Sequence, residues 1–91
     1  MTISFNAYRR EDRGLRHIPL DFQLSNQNGL DVLETLGIED SHGVWPIECF
    51  EAVLKVARRN PQASYIEERL TQLAAHVGDA RQAGGSHITW A

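Results

Sequence analysis

Apolar side chains in this chain change their spacing twice, and those changes decide what it can fold into. Ile3, Phe5 and Ala7 alternate with Ser4, Asn6 and Tyr8. Ile18, Leu20, Phe22 and Leu24 alternate in the same way with His17, Pro19, Asp21 and Gln23. A period of two belongs to a strand with one buried face. The charged stretch from Arg9 to Arg16 contains Gly14 and reads as a long loop between the two strands, so a hairpin is expected. Pro19 donates no ladder hydrogen bond, which places it at an edge or near the strand's start.

After Leu24 the spacing becomes helical. Ser25-Asn26-Gln27-Asn28-Gly29 marks the change, with Asn28 expected as N-cap and Asp31 in the first turn. Leu30, Leu33 and Leu36 form the apolar face, and Gly37 ends the helix with Ile38 folding back on Leu33. Glu39 to Trp45 reads as a connector. Trp45-Pro46 opens a second helix over Pro46–Arg59, with Glu51 and Lys55 spaced for an i,i+4 ion pair. Asn60-Pro61 breaks it. Ser64 and Glu67 have the spacing of a capping box. Ile66, Leu70, Leu73, Val77 and Ala80 then follow at helical spacing to Gly84-Gly85. Period two returns at Ile88 and Trp90, a closing strand whose buried indole would contribute roughly 2–3 kcal/mol.

The expected order is β-β-α-α-α-β, an α+β fold. A three-stranded antiparallel sheet would carry three helices on one face. The 91 residues amount to a single domain, 1–91, with a modest core. No stretch approaches the ~20 apolar residues of a membrane helix, and no secretory signal is visible. One cysteine, Cys49, excludes an internal disulfide and suits a reducing, cytoplasmic setting.

Charge is distributed unevenly. Net charge is −3, yet Arg9, Arg10, Arg13 and Arg16 against Glu11 and Asp12 give residues 1–17 a local +2, leaving −5 for the rest. Nucleic-acid binding is therefore disfavoured. The arginines, with Tyr8 on the outer strand face, are instead the candidate protein-docking surface, because arginine and tyrosine are enriched at binding hot spots.

The other candidates are weaker. Ser25, Asn26 and Asn28 stand where a strand meets a helix amino terminus, a place that can hold an anion, but satisfying the turn and capping the helix explains them first and a ligand only second. No Gly-x-Gly-x-x-Gly or Walker lysine accompanies them. His17, His42, His76 and His87 have no zinc spacing with one another or with Cys49, and each is expected at the surface or an edge. Cys49, flanked by Glu48 and Glu51, is expected to be a buried spectator rather than a nucleophile. No catalytic residue, metal or cofactor is assigned.

Leu24-Ser25-Asn26-Gln27-Asn28-Gly29, Leu36-Gly37, Tyr65, Arg69-Leu70, Leu73 and Gly85 through Trp90-Ala91 resemble the pattern of a small, functionally unassigned bacterial family. That family carries an LSNxN segment, a helix ending in LG, and a Gly-x-x-x-x-Trp-Ala ending. The resemblance supports the architecture and implies no activity. The expected function is that of a non-enzymatic protein-interaction module, with a homodimer through the open sheet face or edge as one form. The alternatives are a phage or mobile-element accessory protein that blocks another protein, and a weak nucleic-acid binder using the Arg9–Arg16 segment.

Overall fold

Two strands, β1 (Thr2–Glu11) and β2 (Gly14–Ser25), form the amino-terminal hairpin in the computed structural model, which describes residues 2–91. Next come α1 (Asn26–Thr35), β3 (Gly43–Pro46), α2 (Ile47–Arg59), α3 (Ser64–Gln82) and β4 (His87–Trp90). The sheet is antiparallel with strand order β2-β1-β4-β3. The carboxyl-terminal strand is thus an interior one. Ser4 and Ala91 exchange backbone hydrogen bonds of 2.9 and 3.1 Å, so both ends of the described chain meet in the middle of the sheet.

The two-residue period produces the core directly. Ile3, Phe5 and Ala7 face Leu24, Phe22 and Ile18 across the hairpin, on the side covered by the helices. The register is interrupted once: Asn6 faces Asp21 while Ala7 faces Ile18, leaving Pro19 and Leu20 as extra residues on β2. An insertion of one residue would turn the rest of the strand inside out; an insertion of two preserves the facing. Pro19 therefore sits in an irregular part of an edge strand, where its missing donor costs little.

Helix α1 packs on β1, β2 and α3, whereas α2 packs on β3, β4 and α3. Their buried faces enclose an aromatic centre. Phe50 lies edge-on to Phe5 at 6.5 Å and to Trp90 at 5.6 Å, with Trp45 5.2 Å from it. Helices α1 and α3 end alike. Ile38 N–H donates to Leu33 O at 2.8 Å and Gly37 N–H to Glu34 O at 2.9 Å, with Gly37 at φ 78°. Gly85 to Ala80 and Gly84 to Arg81 repeat the pattern at the end of α3. These are Schellman endings, which satisfy carbonyls that a helix otherwise leaves unpaired.

The fold departs from the sequence-based expectation in several places. The sheet has four strands rather than three, because Gly43–Pro46, read as the end of the connector and the first residue of the second helix, pairs with β4. Residues 9–16 are not a long loop: both strands continue to a turn at Asp12-Arg13. The N-cap of α1 is Ser25, not Asn28; the Ser25 hydroxyl accepts from Asn28 N–H at 3.3 Å. Asp31 lies beyond the first turn and accepts from the Gln27 side chain at 3.0 Å. Pro46 is the N-cap of α2 and the helix begins at Ile47. The N-cap of α3 is Ala63, so Ser64 and Glu67 form no capping box. Cys49 is exposed rather than buried.

Candidate interaction surface

The residues that alternate with the core positions build the opposite face of the sheet. Strand pairing sets Pro46, His87, Tyr8 and His17 in one row across all four strands. Val44, Thr89, Asn6 and Asp21 form the next row, and Ser4 beside Gln23 follows. Three helices occupy the other side, and no described element covers this one. Tyr8 is half-buried at the centre of its row, with its ring 5.4 Å from His17 in an edge-to-face arrangement. On its other side, the Ser86 hydroxyl lies 2.9 Å from Nδ1 of His87 and 3.4 Å from the Tyr8 carbonyl. The two histidines thus flank Tyr8 rather than each other. Val44 adds an exposed apolar side chain, 49% accessible.

The arginines stand at one end of this face. β4 pairs with β1 along Phe5–Tyr8, so residues 9–16 run past it as a two-stranded ribbon. Arg9 and Arg16 are cross-strand partners on the helix side, while Arg10 and Leu15 are partners on the open side. Arg13 is in the turn, and all four arginines are exposed. Like charges directly opposite one another repel. The ribbon's ion pair, Arg16 Nη1 to Glu11 Oε1 at 3.5 Å, is solvent-exposed and stabilises little. The tip therefore retains an uncompensated positive charge continuous with the Tyr8 row.

The remaining sequence candidates are dispersed. Ser25 is occupied in capping α1; Asn26 is exposed and Asn28 half-buried in the first turn. Among the described residues, no three His, Cys, Asp or Glu side chains come together in a metal-binding group. Among the described residues, no helix is long and apolar enough to cross a membrane.

One histidine is not where it was expected. His76 is buried, 7% accessible, with Nε2 2.8 Å from the Phe5 carbonyl and its ring stacked on Phe22 at 5.4 Å. The geometry makes Nε2 the protonated nitrogen that donates to Phe5 O. Burial pushes the pKa of His76 below the ordinary histidine value; the Phe5 hydrogen bond and the charges of Asp79 and Asp21 oppose that in part. His76 falls on the helical spacing of Leu73, Val77 and Ala80, so periodicity was the signal that could have located it.

Comparison with models of protein families, with curated proteins and with solved structures finds no match for this chain.

Proposed function

We propose that this chain is a non-enzymatic protein-interaction module that docks a partner protein on the open face of its sheet, with the arginine ribbon as the rim. The observation that carries this reading is the Pro46-His87-Tyr8-His17 row, an uncovered face with an aromatic centre flanked by hydrogen-bonding side chains. Tyrosine and arginine supply large contact area at binding hot spots. The sheet edges favour the face over strand addition: β2 is interrupted at Pro19-Leu20, and β3 is four residues long and ends in proline. Both are devices that blunt an edge against pairing.

A second copy of the chain is the first partner to test, because the open side carries Arg10 at one end and Asp21 further along, charges of opposite sign that a two-fold related copy could bring face to face. The LSNxN segment and the closing Gly-x-x-x-x-Trp-Ala motif support placing the chain with the unassigned bacterial family that they resemble. A cytoplasmic setting completes the proposal, since the exposed Cys49 thiol persists best where the medium is reducing.

The test is affinity capture from the source cell together with sedimentation of the purified chain. Wild type is compared with Tyr8→Thr and with a variant in which Arg10 and Arg13 become Glu. Self-association or a captured protein that both variants lose is the expected result. Association unaffected by either variant sinks the open-face reading, and capture abolished by nuclease transfers it to nucleic acid.

A further inference from the structure

Outside the hairpin the basic residues are Lys55, Arg58, Arg59, Arg69 and Arg81. Two of them have partners. Arg81 grips Glu51 with Nε 3.0 Å from Oε2 and Nη2 2.5 Å from Oε1. Arg69 lies 3.8 Å from the Glu68 carboxylate and 3.4 Å from the Gln72 side chain. Lys55, Arg58 and Arg59 have no carboxylate within ion-pair distance among the described residues, and all three line one groove between α2 and α3.

The absence of compensation has a structural cause. Glu51 stands four residues before Lys55 and would pair with it along α2, but Arg81 of α3 holds that carboxylate instead. Lys55, Arg58 and Arg59 are then left at i, i+3 and i+4, the spacing at which like charges on a helix repel. Cations near a helix carboxyl terminus do meet its negative pole. That effect requires no groove, and here the cations border one with an apolar floor that includes Ala74 and Val77.

Gly78 completes the floor. It lies inside α3, where glycine costs helix stability, yet a Cβ placed on it would meet nothing within 4 Å. Among the described residues, no neighbour requires the glycine. The opening above it is room for something from outside.

We infer that the α2–α3 groove docks an acidic amphipathic helix of a partner protein. Small apolar side chains of that helix rest on the half-buried Ala74 and Gly78, and its carboxylates pair with Lys55, Arg58 and Arg59. Helix-in-groove recognition joins an apolar stripe to flanking charge in this way. The site shares no residue with the Tyr8 face, so the two proposals stand or fall separately.

The test titrates the isotope-labelled full chain with a blocked synthetic helix bearing Glu on one side and Leu and Ala on the other. A second peptide has Gln in place of every Glu. Amide shifts at Ala74, Val77 and Gly78 and along the second half of α2 are expected with the Glu peptide. Changing Lys55 and Arg59 to Glu should weaken its binding about tenfold or more. Gly78→Leu fills the opening on a helix that gains propensity, and should abolish binding while its amide spectrum remains that of a folded protein. Equal binding of the Gln peptide, or unchanged binding to Gly78→Leu, overturns the inference. So do shifts centred on Tyr8, an equal response to inorganic phosphate or duplex DNA, or no shifts at millimolar peptide.

Discussion

Trp90 lies across Gly43. The two residues are partners between β4 and β3, and a Cβ on Gly43 would collide with the indole at Cζ2. The same indole donates its Nε1 proton to the Asp40 carbonyl at 3.0 Å, which ties the 37–43 connector to the end of the chain. Gly43 is therefore required for space, its backbone being free of the left-handed region. Gly43→Val should lower stability by about 1–3 kcal/mol, the usual cost of overpacking. Urea denaturation measures it; an unchanged midpoint would show that the ring shifts freely.

Removal of residues 88–91 should do more than lower the melting temperature. β4 is the partner of both β1 and β3, so its loss strands two sets of backbone donors and removes Ile88 and Trp90 from the core. The expected outcome is a chain without a cooperative thermal transition. A truncated protein that melts sharply would place the strand outside the cooperative unit.

That central position was only half legible in the sequence. The alternation of Ile88 and Trp90 reveals a strand with an inward face, but nothing local says which strands lie beside it. Gly43-Val44-Trp45-Pro46 is too short for a period to register, and Trp-Pro reads as a helix start; the same proline does serve as the N-cap of α2. The ribbon beyond Tyr8 was hidden because charged residues resemble a loop, whereas the ladder is made by the backbone whatever the side chains are. The Glu51–Lys55 pairing failed for a related reason: spacing along one helix carries no information about Arg81 on another. The Leu33, Gly37 and Ile38 ending was fully readable, since every element of the motif is local.

His76 should make stability depend on pH. Its folded pKa lies below the ordinary value of 6.5 because the charged form is desolvated. Above 6.5 both folded and unfolded chains hold it neutral, and nothing is lost. As pH falls below 6.5 the unfolded chain binds a proton that the folded chain resists, so stability declines until the folded pKa is reached. Urea midpoints should therefore hold level at neutral pH and drop as pH falls below the ordinary histidine value of 6.5 in wild type. In His76→Gln, which keeps an N–H donor for Phe5 O, that part of the drop should vanish. An identical slope in the variant would assign the dependence to other groups.

Two helix glycines should respond to alanine with opposite signs. Gly29 is buried in α1 where the helix meets β1, and a Cβ there would strike the side chain of Ile3. Gly78 in α3 has open space at the same position. Both have ordinary helical backbones, so conformational strain does not enter. Alanine is worth about 0.8–1 kcal/mol more than glycine inside a helix. Gly78→Ala should gain most of that amount. Gly29→Ala gains the same propensity but forces Ile3 and α1 apart, and overpacking of about 1–3 kcal/mol outweighs it. Thermal melts of the two single variants and their double settle the point, because the sites share no neighbour and their effects should add. Gly78→Ala with no gain would mean that something already fills the space above α3. Gly29→Ala with no loss would mean that α1 slides along the sheet at little cost.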